Sequence, residues 1–163
     1  MDKKQEFVFS VDHANRKIHV EKEFPAPLDK VWDAFTKEEQ LSRWFAPEPW
    51  KVESKQLDFN ERGRWLFAMV GPEGEKHWSI VDYISIDPMK SYTAKDAFSD
   101  DKGNINQDMP QATWHNKFID QGSSTRYQVD ISFDSEEDLD GNLNMGFVEG
   151  YTACLNQLAD LLA

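Results

Sequence analysis

Cysteine is nearly absent. Cys154 is the one thiol in 163 residues, so no disulfide can close within the chain. Disulfide-stapled folds belong to oxidising compartments, and a reducing one is expected here. Long apolar runs are missing too. No stretch approaches the roughly 18 apolar residues of a membrane span. Met1 to Ser10, opening Met-Asp-Lys-Lys-Gln-Glu, lacks the apolar run of a signal peptide, which makes the cytoplasm the expected location. Basic charge is in deficit, with 18 Lys and Arg against 30 Asp and Glu and a net charge of −12. Such a surface repels phosphate backbones and anionic bilayers, so neither nucleic acid nor membrane is an expected partner.

Catalytic signatures are also lacking. There is no Gly-x-Ser-x-Gly elbow, no Gly-rich phosphate loop, and no His-x-His or His-x-x-x-His spacing. His13, His19, His77 and His115 are scattered, so no metal and no cofactor is expected. The polar stretch Ser99 to Asp108 gathers oxygen ligands, but its Gly103 stands two places early for a calcium loop and no Glu follows. It reads as a solvated loop. Asp82 is the one candidate for acid–base work, with His77 or Tyr83 assisting, yet both lie on the opposite strand parity. Cys154 sits on an apolar helical stripe, where a thiol stays protonated. No catalytic residue is assigned.

What remains is apolar enough to fold: 39% hydrophobic and 13% aromatic, too rich for disorder. A chain of this length buries roughly 70% of its unfolded surface and needs no staple. No repeat or linker divides it, and a single domain over 1–163 is expected. Phe7, Phe9 and Val11, then Ile18, Val20 and Phe24, flank a polar turn as a β-hairpin. Leu28, Val31, Trp32 and Phe35 follow Pro27 at helical spacing. Thr36-Lys37-Glu38-Glu39 has the form of a capping box starting a second short helix that carries Leu41, Trp44 and Phe45 inward. From Trp50 to Phe133 the pattern is strand after strand. Ser135 to Asp140 forms an acidic connector, fit either to dock a basic partner or simply to precede a helix N-terminus. Leu143, Phe147, Tyr151, Cys154, Leu155, Leu158, Leu161 and Leu162 then mark one helix of about five turns. Gly146 and Gly150 within it suit a close approach to the sheet or an open pocket. The class is α+β: a curved antiparallel sheet wrapped around a long C-terminal helix, with two short helices near the N-terminus.

Glu23-Phe24-Pro25-Ala26-Pro27, Val31-Trp32-Asp33-Ala34-Phe35-Thr36, Trp44-Phe45-Ala46-Pro47, Gly63-Arg64-Trp65 and Gly146-Phe147 carry a resemblance. Over about residues 16–162 the chain resembles the activator of 90-kDa heat shock protein ATPase homologue 1-like family, of the START-like, pollen-allergen-like (SRPBCC) helix-grip superfamily. It departs at Arg62-Gly63, where relatives carry Gly-Gly, and at Asp82, where a strand glycine is common. The resemblance implies the helix-grip fold. It also implies one of three activities: holding a small hydrophobic molecule, stimulating a heat-shock chaperone's ATPase as a protein partner, or cyclase- or hydrolase-type catalysis. The first is the leading expectation. Trp44, Trp65, Phe67, Met69, Trp78, Trp114, Phe147 and Tyr151 are the ring-rich set expected to face the interior between sheet and helix. Either a monomer or a homodimer fits.

Overall fold

The computed structural model describes residues 7–163; the sequence reading of Met1–Glu6 lies outside them. Alternation of apolar and polar residues builds β1 (Phe7–Asp12) and β2 (Lys17–Phe24), paired as the expected hairpin. Six further strands follow: β3 (Lys51–Leu57), β4 (Arg64–Val70), β5 (Lys76–Asp87), β6 (Ser91–Ser99), β7 (Ala112–Asp120) and β8 (Thr125–Phe133). They form one curved antiparallel sheet in the order β1-β2-β8-β7-β6-β5-β4-β3. Short hairpin connections make antiparallel pairing the natural outcome. The chain crosses from β2 to the far edge at β3 through α1 (Leu28–Thr36) and α2 (Glu38–Leu41).

The capping box does not form. Thr36 is the last residue of α1, and its Oγ1 donates to the Trp32 carbonyl at 2.8 Å. The N-cap of α2 is Lys37, which has no side-chain capping bond. The single long C-terminal helix is also corrected. There are two helices, α3 (Glu136–Asn144) and α4 (Phe147–Leu162), broken where Gly146 takes a φ of 83°. Only glycine enters that left-handed region freely, and the backbone leaves the helical path there. The acidic connector becomes the first turn of α3. The Ser135 hydroxyl accepts from the Asp138 N–H, and Glu136, Glu137 and Asp138 sit where a helix favours negative charge.

α4 buries Tyr151, Cys154, Leu155 and Leu158 in one core with Ile18, Val20, Val129 and Ile131 of the sheet. A second, smaller core lies on the sheet's other face. There Leu66, Ile80 and Ala97 meet Trp78 and Ile105. The loop after β6 folds back over that face, tied by a bridge between Ser99 and Ile105. Asp100 is satisfied within the loop, accepting from the N–H groups of Lys102 and Asn104 and from the Asn104 side chain. Arg64 and Asp82 stand on the same outer face as a two-pronged ion pair at 2.6 and 3.0 Å, and Arg64 Nη1 donates to the Gly103 carbonyl at 3.0 Å.

This second core explains why the interior assignment of Trp78 fails. The β5–β6 register shifts between Tyr83 and Ser85, leaving Ile84 as an exposed bulge residue. A bulge inverts the facing of everything beyond it. Ile86 therefore packs on the main core, whereas Trp78, Ile80 and Asp82, of the same parity, face outward.

Candidate functional site

Between the inner face of the sheet and α4 lies a cavity of about 290 Å³. That is at the lower edge of ordinary small-molecule sites, about 300–1,000 Å³. Of the eight expected residues, Trp65, Phe67, Met69, Trp114, Phe147 and Tyr151 line it. Trp44 and Trp78 do not. Trp78 is on the outer face, with the Lys55 ammonium over its ring. Trp44 is buried in the core, its indole N–H donating to the Ala34 carbonyl at 2.9 Å and its ring packed on Phe35. The next residue, Phe45, takes the place at the cavity wall. Neighbouring residues in a helical turn point apart, and a buried indole N–H needs an acceptor, which the end of α1 supplies to Trp44.

The rings are ordered by contacts with one another. Trp65 and Phe67 stack at 3.8 Å, an offset pair presenting a flat surface from β4. Phe147 and Tyr151, one helical turn apart on α4, stack at 5.5 Å. Trp114 from β7 meets both edge-on, at 85° and 87°. Gly150 of α4 lines the cavity, and a Cβ built there meets nothing within 4 Å. The helix thus leaves space open at this turn.

Tyr151 is held by a buried polar chain. Its hydroxyl lies 2.8 Å from the Tyr127 hydroxyl, which donates to Asn116 Oδ1 at 2.6 Å, and Asn116 Nδ2 reaches the Tyr92 carbonyl at 3.4 Å. The chain links α4 to β8, β7 and β6. Replacing Tyr127 by Phe strands the Asn116 oxygen in the core. The expected loss is about 1–3 kcal/mol in urea unfolding, and a change below about 0.5 kcal/mol would show the chain to be energetically idle.

Asp96 is the residue the sequence reading passed over. On β6, Tyr92, Ala94, Asp96 and Phe98 share one parity, and all four line the cavity. Apolar residues on both sides of a carboxylate, at one facing, were the available signal. Asp96 pairs across the sheet with Val81 and Ala112, so its side chain rises from the middle of the strand array. Burial pushes its carboxyl up to about 6, against the pull of the Trp114 indole N–H, which donates to Oδ1 at 3.0 Å. Cys154 also lines the cavity, and burial holds its thiol up at about 12, which keeps it protonated. Asp82, the one acid–base candidate, lies on the outer face with Arg64, while His77 and Tyr83 line the cavity. His19 is engaged elsewhere, its ring nitrogens 2.6 Å from Glu21 and Asp130.

Among solved structures, the chain is similar to protein Ms6760 from Mycobacterium smegmatis at 28% identity and a TM-score of 0.88, with 96% of each chain covered. A protein from Staphylococcus epidermidis is 27% identical with a TM-score of 0.82, covering 94% of this chain and 93% of that one. A protein from Arthrobacter aurescens, 24% identical over 95% and 90%, has a TM-score of 0.90 and bears on the fold alone. No curated protein matches the chain. The sequence profile described as Activator of Hsp90 ATPase homolog 1-like protein matches residues 25–163. With that match running from the end of β2 through α4, and a fold shared with these solved structures, the chain belongs to the Activator of Hsp90 ATPase homolog 1-like family.

Proposed function

We propose that the protein holds a small hydrophobic molecule in the cavity between sheet and α4 without transforming it. The observation that carries this reading is the cavity itself: about 290 Å³ of space walled by stacked rings from β4, β7 and α4. A protein interior is otherwise packed to crystal-like density, and empty apolar space of this size is available to an apolar guest. The flat faces of Trp65, Trp114 and Tyr151 suit a planar or short-chain ligand. The enzymatic alternative, cyclase- or hydrolase-type chemistry in the same cavity, loses its acid–base candidate, because Asp82 is tied to Arg64 on the opposite face. Stimulation of a chaperone ATPase rests on the family description and draws on no feature of the cavity.

Native mass spectrometry of the purified protein, with a thermal-shift screen of apolar compounds, tests the proposal. A ligand at about 100 times its Kd should add about 2.7 kcal/mol of stability. For a domain of this size that raises Tm by roughly 5–10 °C. Gly150→Phe fills the open space beside the helix and should abolish the shift while leaving the protein folded. Blank results in both assays would end the receptacle reading.

A further inference from the structure

The receptacle reading leaves the chemistry of the ligand open, and the cavity wall narrows it. Asp96 is the one carboxylate among the described residues lining the cavity, and no Lys or Arg lines it. The carboxylate is flanked on its own strand by Ala94 and Phe98 and faces Val81 and Ala112 on the neighbouring strands. One oxygen accepts from Trp114 Nε1 at 3.0 Å, the one side-chain donor it has among the described residues. That bond, together with the backbone N–H groups of Asp96 and Ala112, orients the carboxylate, and no cationic side chain among the described cavity-lining residues stands against it. The surrounding walls are the faces and edges of Trp65, Phe67, Trp114, Phe147 and Tyr151. Aromatic faces carry negative potential and attract cations.

On the receptacle reading, we infer that the ligand is a lipophilic amine: a small apolar body lying on the aromatic rings, with one protonated nitrogen set against the Asp96 carboxylate. A carboxylate among apolar walls without a counter-charge is unfavourable, and an ammonium supplies both the opposite charge and up to three N–H donors. An anionic ligand meets a like charge in low dielectric. A neutral one leaves the carboxylate as it was.

The groups around Asp96 set how this binding depends on pH. Tyr92 lies on its own strand, Tyr83 and His77 on β5, Tyr151 and Cys154 on α4, with the neutral Trp114 and Asn116 on β7 and Asn142 on α3. Burial holds the three phenols and the thiol above their ordinary values, so they stay neutral in the relevant range. His77 is exposed and four residues along β5 from Val81, the residue opposite Asp96. At ~3.3 Å per residue that separation is roughly 13 Å. Asp96 is therefore the group that sets the cavity's charge. Its carboxyl, pushed by burial up to about 6, is ionised above that pH and neutral below it.

Calorimetric titration of the full chain with three compounds of matched size, phenylbutylamine, phenylbutanol and phenylbutanoate, tests the inference. At about pH 8 the amine should bind at least about tenfold more tightly than the alcohol, and the carboxylate more weakly than either. At about pH 5 the amine's advantage should shrink to within about twofold of the alcohol, since Asp96 is then mostly protonated. Asp96→Asn should abolish the preference at both pH values while binding the alcohol as before, which shows the cavity intact. His77→Ala should retain the full preference. If the alcohol binds but the amine is not preferred, or Asp96→Asn keeps the preference, the amine assignment is overturned and the receptacle stands. Binding by none of the three overturns the amine assignment, and a blank apolar screen as well would remove the receptacle with it.

Discussion

Gly63→Ala is expected to lower stability by about 3 kcal/mol or more, the upper range for forcing extra volume into a packed site. For a chain of this length that corresponds to a fall in Tm of roughly 10 °C. A Cβ at position 63 would stand 2.1 Å from the Asp58 carbonyl oxygen and 2.9 Å from that of Asn60. Both are backbone atoms, and neither can step aside alone. The Asn60 carbonyl accepts from the Gly63 N–H at 2.7 Å, and the Gly63 carbonyl accepts from the Tyr83 N–H at 3.0 Å. Any shift that makes room for a methyl group must loosen the turn between β3 and β4 and its tie to β5, where Tyr83 begins the cavity wall. Neighbouring Arg62 provides the control. It adopts a φ of 71°, a left-handed conformation that glycine enters freely and other residues rarely adopt. Arg62→Gly relieves that strain but frees the unfolded chain, so its stability should stay within about 1 kcal/mol of the parent. Urea unfolding of the two variants separates them. A Gly63→Ala protein within about 1 kcal/mol of the parent would show that the turn can open at little cost.

The contrast between these two positions illustrates what the sequence makes legible. The resemblance draws the eye to Arg62-Gly63, but the reason glycine is required at 63 and not at 62 lies in carbonyl oxygens that the fold brings near Gly63. Strands announce themselves wherever alternation is clean, as in β8, and α1 does so through Val31, Trp32 and Phe35. The bulge at Ile84 leaves no compositional mark. Parity counted through it sends Trp78 to the wrong face, because Ile86, beyond the bulge, is the residue of that parity that packs on the main core. Gly146 is visible in the sequence, yet its breaking of the helix depends on a φ value that a mid-helix glycine does not require. Lys22 escapes notice for the opposite reason. It occupies the inner parity between Val20 and Phe24 and is buried against the Phe7 ring, where charge patterning places it in solvent.

The cavity's rings were accessible to the same reasoning because β4 and α4 are regular where they contribute. Trp65, Phe67 and Met69 alternate, and Phe147 and Tyr151 are four apart. Asp96 shows how weighing residues by type can miss a site. A search for large apolar side chains ranks a lone Asp on a less regular strand last, although its facing was fixed by Tyr92 and Phe98 on either side.

Asp96→Asn is expected to raise stability by about 1–3 kcal/mol near neutral pH in the absence of ligand, up to the free-energy equivalent of the displacement of its carboxyl. The sign follows from the direction of that displacement. The folded protein holds the carboxyl up at about 6, against 3.8 for an unperturbed side chain. Between those values the native state binds the proton that the unfolded state has already lost. Stability of the parent therefore falls as pH rises from about 4 to about 6 and stays at its lower level above, apart from the protein's other titrations. Asparagine has no such titration, and its side-chain oxygen can still accept from Trp114 Nε1. Unfolding free energies of parent and variant should coincide near pH 4 and diverge through pH 6, the variant remaining higher. Parallel pH profiles would mean that the carboxylate is well solvated and imposes no burden on the fold. A residue that weakens the protein at physiological pH, where an amide of equal size would keep its one side-chain hydrogen bond, has its rationale outside the fold's own stability. A bound cation opposes this difference. It stabilises the ionised parent more than the variant, so enough phenylbutylamine should narrow the gap between the two stabilities near neutral pH.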